Sequence, residues 1–186
     1  EEIETADLEF KKDLLSQIED ETDRAKEIVR SILDYSKAGK KELINLNSII
    51  KETIRFIKAE IPPEVELLIE VPEEITFPAD PQQMKQVFLN LIKNSIEAIG
   101  KEGRIQISAM THDPYVEIRF SDTGRGMSEE VLSRIFDPFF TTKEEKKGYG
   151  LGLFVTHNII KEHGGTIDVR SSPGHGTTFL IRIPRR

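Results

Sequence analysis

The chain has 186 residues, 37% of them hydrophobic, which is enough for one ordinary core plus an appendage and too much for global disorder. A formal net charge of −7 and a pI near 5.3 argue against a general nucleic-acid binder. With no cysteine there is neither a disulfide framework nor a thiolate metal site, which fits a cytoplasmic setting, and neither a signal peptide nor an apolar run near the roughly 20 residues of a membrane span is visible.

The first 40 residues differ in character from the rest. Leu14, Leu15, Ile18, Ala25, Ile28, Val29, Ile32 and Leu33 recur at three- and four-residue steps, which predicts one long amphipathic helix over roughly 8–37, ending near Gly39. Such a helix either pairs with another helix or lies on the core of its own domain. A second helix is expected at about 47–60, with Ile49, Ile50, Ile54 and Ile57 apolar. The alternation of Val65, Leu67, Ile69 and Val71 predicts a strand. Asp80 as N-cap, Pro81 in the first turn and Gln83 at the capping-box position start a helix that runs to about Ile99. "RIQISAM" and "YVEIRFS" read as paired strands joined around His112-Asp113-Pro114. A short helix begins near Ser128, and residues 137–149 form a polar, lysine-rich loop longer than most in a compact domain. A helix at 151–162 stops at Gly164, and "GTIDVRS" and "TTFLIRI" close the chain as two strands. Strands and helices mix without regular alternation, which predicts an α/β fold: a helix layer on one mixed, mainly antiparallel sheet.

Three stretches carry candidate chemistry. In "SDTGRGM" (121–127) Asp122 stands at a strand's end, where a fixed carboxylate accepts a hydrogen bond from an exocyclic amine. Gly124 and Gly126 there let the backbone turn and a flat ring approach, although Asp-x-Gly is also common turn chemistry. In "KKGYGLGLF" (146–154) Gly148, Gly150 and Gly152 take every second position ahead of a helix. That pattern is either a plain loop with a helix start or a cradle of amides at the positive helix end, an anion site. It is neither a Walker A motif nor a Rossmann fingerprint. Lys143, Lys146 and Lys147 upstream supply counter-charge to phosphates or simply line a solvated loop. In "NLIKNSIEA" (90–98) Asn90 and Asn94 lie one helical turn apart on one face, and an amide oxygen is a suitable hard ligand for Mg²⁺. The alternative is a pair of asparagines at an exposed helix edge. The four histidines show no metal-ligand spacing.

In this order the pieces resemble the sensor histidine kinases of two-component signalling and, more broadly, the gyrase, heat-shock chaperone, MutL and histidine kinase ATP-binding superfamily. Asn90 to Asn94 is similar to the N box, Asp122 to Gly126 to the G1 box, Phe136 to Phe140 to the F box, Gly148 to Leu153 to the G2 box, and Gly174 to Thr178 to the last box. The resemblance implies a two-layer α/β sandwich of the Bergerat type, with ATP between the sheet's helices and a lid at 137–149. It implies that Asp122 receives the adenine amine with Thr177 in support through water. Asn94 then holds Mg²⁺ with Asn90 nearby, and these two form the catalytic pair. Amides around Gly150, Leu151, Gly152 and Leu153 cradle phosphates, and Lys143 contacts them from the lid. Gly124, Gly126, Phe136, Thr142, Gly148 and Tyr149 complete the implied nucleotide-binding set.

The same resemblance implies that residues 1–40 are part of a dimerisation hairpin, its second helix, and that 41–186 are the ATP-binding catalytic domain. A homodimer through that hairpin in the full-length protein and a response-regulator receiver domain are the implied partners, with no nucleic acid and no membrane segment in this chain. Two departures stand out. No histidine precedes His112, so the phosphoacceptor of the family is absent and the chain, which also lacks an initial Met, reads as a catalytic fragment of a longer parent. Glu97 stands where many relatives carry a basic residue. The superfamily's hydrolytic members carry a glutamate general base where this chain has Asn90, and an amide takes no proton at neutral pH. Transfer to an external nucleophile is therefore expected over rapid hydrolysis, and the resemblance implies that this nucleophile is a histidine nitrogen, which passes the phosphoryl group to a response-regulator aspartate. A conformational ATPase and a serine-directed anti-sigma kinase are the alternatives.

Overall fold

A computed structural model describes residues 11–12, 14–18, 21–22, 25–26, 39–142 and 149–186. The chain runs β1 (Glu42–Asn45), α1 (Leu46–Ile57), β2 (Val65–Glu70), β3 (Thr76–Ala79), α2 (Pro81–Ile99), β4 (Gly103–Thr111), β5 (Tyr115–Asp122), α3 (Glu129–Leu132), α4 (Gly152–Glu162), β6 (Thr166–Ser171) and β7 (Thr177–Pro184), with one turn of 3₁₀ helix at Lys58–Glu60. Residues 11–12, 14–18, 21–22 and 25–26 are helical, as expected of the predicted N-terminal helix, and Leu14, Leu15 and Ile18 are exposed. The rest of that helix's stripe, from Ile28 to Leu33, and the loop residues Lys143 to Gly148 lie outside the described residues.

β2, β4, β5, β7 and β6 form one sheet in that order. β2 runs parallel to β4, and the other three pairings are antiparallel. This is the mixed, mainly antiparallel sheet that the sequence predicts. The parallel step exists because α2 intervenes between β2 and β4 and carries the chain back over the sheet. The alternation is strict on β5 and β7. Val116, Ile118, Phe120, Phe179, Ile181 and Ile183 are buried on the inner face, while Arg119 and Arg182 look outward. α2 packs against both α1 and α4, so these three helices form a single layer. Met84, Val87, Phe88, Leu91 and Ile92 of α2 are fully buried.

Two strands appear that the sequence pattern does not announce. β1 and β3 pair antiparallel as a separate two-stranded sheet, with Leu43 opposite Pro78. Each has four residues, too few for alternation to show, and a proline argues against a strand within a larger sheet.

The start of α2 also differs in detail from the expected capping box. Asp80 does cap it, its Oδ1 accepting from the amides of Gln82 (2.8 Å) and Gln83 (3.1 Å). The Gln83 side chain, however, points to Glu162, and the Asp80 amide donates instead to Nε2 of His163 (3.0 Å). Nδ1 of the same buried ring lies 2.7 Å from the Ile159 carbonyl, which can only accept, so the ring is the Nδ1–H tautomer. A histidine from the end of α4 thus completes the cap of α2. The preceding chain is threaded past this joint. A Cβ on Gly39 would sit 1.7 Å from Oδ2 of Asp80, and Lys41 donates to the Glu162 carbonyl (2.8 Å).

Candidate functional site

Asp122 is the last residue of β5, the middle strand of the sheet, and is 8% exposed. Its Oδ1 accepts from the amides of Gly124 (2.9 Å) and Thr177 (3.2 Å), and its Oδ2 accepts from the hydroxyl of Ser95 (3.0 Å). Burial raises its pKa above the usual aspartate value, and these three donors work in the opposite direction. Oδ1 therefore has both lone pairs spent, while Oδ2 keeps one. That remaining lone pair on a nearly dry carboxylate is a site for one more donor.

Ser95, 1% exposed on α2, is a site residue that sequence reasoning overlooked, although it stands directly after Asn94. Ser171 is another. Its hydroxyl donates to the Gly176 carbonyl (2.8 Å), accepts from the Met127 amide (2.9 Å) and lies 3.0 Å from the Thr177 hydroxyl. Thr177 thus holds Asp122 through its amide and Ser171 through its side chain. Neither serine has a pattern around it; each is recognised only once distant elements meet.

Of the two reasons the sequence offers for the glycines of "DTGRG", a backbone turn is seen at Gly126, and close packing against protein adds a third. A Cβ on Gly124 would meet the Ala98 backbone at 2.7 Å, and Arg125 donates to the Ala98 carbonyl (3.0 Å). Gly126 has φ +67°, and its Cβ would stand 1.9 Å from the Ser172 carbonyl oxygen. Both missing side chains therefore face protein, so the pair lets the loop press onto α2 and onto the β6–β7 turn.

At the other end of the site, α4 begins at Gly152 with buried Leu151 as N-cap and no side chain capping it. The first intrahelical bond is from Val155 to the Leu151 carbonyl (2.9 Å), so the amides of Gly152, Leu153 and Phe154 precede the ladder and form the positive end of the helix. Asn90 reaches this turn from α2, its Nδ2 donating to the Gly152 carbonyl (2.9 Å) and to Thr156 Oγ1 (3.3 Å). Asn94, one turn further along α2, is half-buried. Phe136 packs its ring 4.9 Å from that of His157 on α4, and Arg134 covers Phe140 at 4.4 Å. Phe139 donates its amide to the carbonyl of Gly150 (3.1 Å), which ties 136–140 to the turn before α4; Tyr149 is half-buried there and Thr142 exposed. Lys143 and Gly148 lie outside the described residues. The structure thus brings Asn90, Gly150, Leu151, Gly152 and Leu153 to one end of α4, and Asp122, Gly124, Gly126 and Thr177 to the end of β5.

Residues 79–186 match the family described as histidine kinase-, DNA gyrase B-, and HSP90-like ATPase. The chain belongs to that family. It is homologous to sensor histidine kinases: it is 38% identical to sensor histidine kinase ZraS of Escherichia coli strain K12 over 169 residues, covering 88% of this chain. It is 46% identical to sporulation kinase A of Bacillus subtilis strain 168 over 114 residues, or 61% of this chain. It spans 36% of ZraS and 18% of the sporulation kinase, so it corresponds to a part of each. Among solved structures, the catalytic domain of histidine kinase ThkA superposes with a TM-score of 0.70 at 33% identity, covering 78% of this chain and 96% of that one. Histidine kinase ThkA in complex with the response regulator protein TrrA gives a TM-score of 0.73 at 32% identity, over 91% of this chain and 49% of that one. The fold of this member of the ATPase family is that of histidine kinase catalytic domains.

Proposed function

We propose that residues 41–186 bind Mg-ATP and transfer its γ-phosphoryl group to a histidine outside this chain, and that residues 1–40 are part of the hairpin that carries the acceptor and dimerises the parent. The observation that supports nucleotide binding best is the buried Asp122 carboxylate with one unspent lone pair on Oδ2, the complement of an exocyclic adenine amine. Ser95, Gly124 and Thr177 fix that carboxylate, so it does not reorganise when the base arrives. The uncapped first turn of α4 then receives the phosphates, whose charge suits a helix N-terminus.

The donor set fits Mg²⁺. Among the described residues no group of three or more His, Cys, Asp or Glu could hold a metal, so an ion here relies on the amide oxygen of Asn94, on water and on the nucleotide's own phosphates. Bound there, it would neutralise phosphate charge. The chain's own contribution is orientation: in-line phosphoryl transfer demands positioning and charge neutralisation more than covalent chemistry.

Asn90 favours transfer over hydrolysis, because it is an amide and its N–H groups are directed into α4. A response-regulator receiver domain is the downstream acceptor in this reading, as the ThkA–TrrA complex suggests by homology. The experiment is transfer from γ-labelled ATP to a separately supplied histidine-bearing hairpin. Acid-labile label on the hairpin, lost with Asn94→Ala while nucleotide still binds, is the expected result. Acid-stable label would indicate a serine kinase, and steady phosphate release without acceptor an ATPase; either would overturn the proposal.

A further inference from the structure

The first turn of α4 has no side-chain cap of its own, yet it is held by two side chains that grip one carbonyl. Nδ2 of Asn90 donates to the Gly152 oxygen at 2.9 Å, and the Thr156 hydroxyl turns back to donate to the same oxygen at 2.9 Å. Nδ2 also donates to Thr156 Oγ1 (3.3 Å), which closes a triangle, and Thr156 is fully buried. Because a carbonyl can only accept, Nδ2 must face Gly152, and this leaves Oδ1 on the far side, where it accepts from Nε2 of Gln86 (3.0 Å). Gln86, Asn90 and Thr156 therefore form one chain of hydrogen bonds from α2 to the opening residue of α4.

A helix terminus frays unless something holds it, and hydrogen bonds weaken steeply away from about 2.7–3.2 Å. The amides of Gly152, Leu153 and Phe154 are useful to a phosphate only while their turn stays in place. We infer that Gln86 and Thr156 are positioning residues which, through Asn90, fix the first turn of α4 against α2 and so set where its amides meet phosphate oxygens. Gln86 stands four residues before Asn90 on α2, and Thr156 four residues after Gly152 on α4, so each braces its partner from within its own helix. The inference deepens the phosphate-end assignment proposed above and rests on it.

The test compares ATP with adenosine, which shares the base but has no phosphates. Both ligands are titrated calorimetrically into the chain and into Thr156→Val, Thr156→Ser and Gln86→Met, with thermal unfolding run in parallel. The wild type is expected to prefer ATP. Thr156→Val and Gln86→Met are each expected to lower the ATP-to-adenosine affinity ratio about tenfold, the worth of one net hydrogen bond, with adenosine affinity unchanged. Thr156→Ser, which keeps the hydroxyl, should restore the ratio. An unchanged ratio in the folded Val and Met variants overturns the positioning role, and so does a parallel loss of both ligands or a failure of serine to restore it. If Thr156→Val does not fold, the variant at half-buried Gln86, Gln86→Met, decides. A wild type that binds adenosine as tightly as ATP would overturn the phosphate-end assignment itself, a result distinct from the others.

Discussion

Replacing Asp122 by asparagine isolates the one acceptor on which nucleotide binding is proposed to depend. The amide keeps an oxygen at the Oδ1 position, so the bonds from Gly124 and Thr177 survive. Its NH₂ group then takes the place of Oδ2 and faces Ser95, whose hydroxyl rotates to accept instead of donate. Folding is therefore retained, and the shape of the site hardly changes. What is lost is the lone pair on Oδ2, and a donor now stands where the adenine amine must also donate. A hydrogen bond to a charged group contributes about 1.5–3 kcal/mol, so ATP affinity should fall roughly 10- to 150-fold, with the opposed donors adding to the loss. Calorimetric titration of ATP into wild type and Asp122→Asn, with unfolding curves as control, measures it directly. GTP provides an internal contrast, because its O6 is an acceptor that the new NH₂ group can satisfy, so preference for ATP over GTP should shrink in the variant. An ATP affinity within twofold of wild type, at equal stability, would refute the assignment of Asp122.

The same carboxylate predicts a pH dependence. Its folded pKa is raised above the ordinary 3.8, so between that value and its own the folded chain binds more protons than the unfolded chain, and its contribution to stability falls as the pH rises through that window. The stability of Asp122→Asn relative to wild type should accordingly grow with pH across the window and then level off; unfolding curves in which it shrinks with pH would contradict the burial argument. Gly126→Ala should cost about 1–3 kcal/mol in urea unfolding, because a Cβ there combines a left-handed backbone with contact at 1.9 Å to the Ser172 oxygen. An unchanged urea midpoint would rule out that close approach. Phe88→Ala, removing a fully buried ring from α2, should cost about 3–5 kcal/mol by the same method, and less than about 1 kcal/mol would mean that α2 is not the core helix described.

The parts of this fold that are legible in the sequence are those whose pattern is long and local. α2 declares its start with Asp80-Pro81 and its end with Gly100, and β4 and β5 alternate over nine and eight residues. β1 and β3 stay hidden because four residues carry no period and Pro78 disguises the second. The site shows the same division. Asp122 and the asparagine pair are visible as types at spacings, whereas Ser95 acquires meaning only through a partner 27 residues away, and Ser171 joins its near neighbours Gly176 and Thr177 to Met127, 44 residues away. Gln83 is the instructive error. It has the right residue type at the right offset for a capping box, yet His163, 83 positions from Asp80, takes the amide that it was expected to cap. A local rule proposes a partner, and tertiary packing supplies a better one.

The pairing of Asp122 with Thr177 has a consequence for order of assembly. The base end of the site needs the end of β5, the start of β7 fifty-five residues later, and Ser95 twenty-seven residues earlier. Until β7 has paired, β5 is an open edge and Asp122 lacks one of its donors. The proposed base site is therefore incomplete until β7 pairs with β5, and on this reading nucleotide capture waits for that strand pairing. A nucleotide added to refolding chains would report completion of this slow, long-range step rather than the earlier formation of the helices, and would hold the finished sheet in place by mass action.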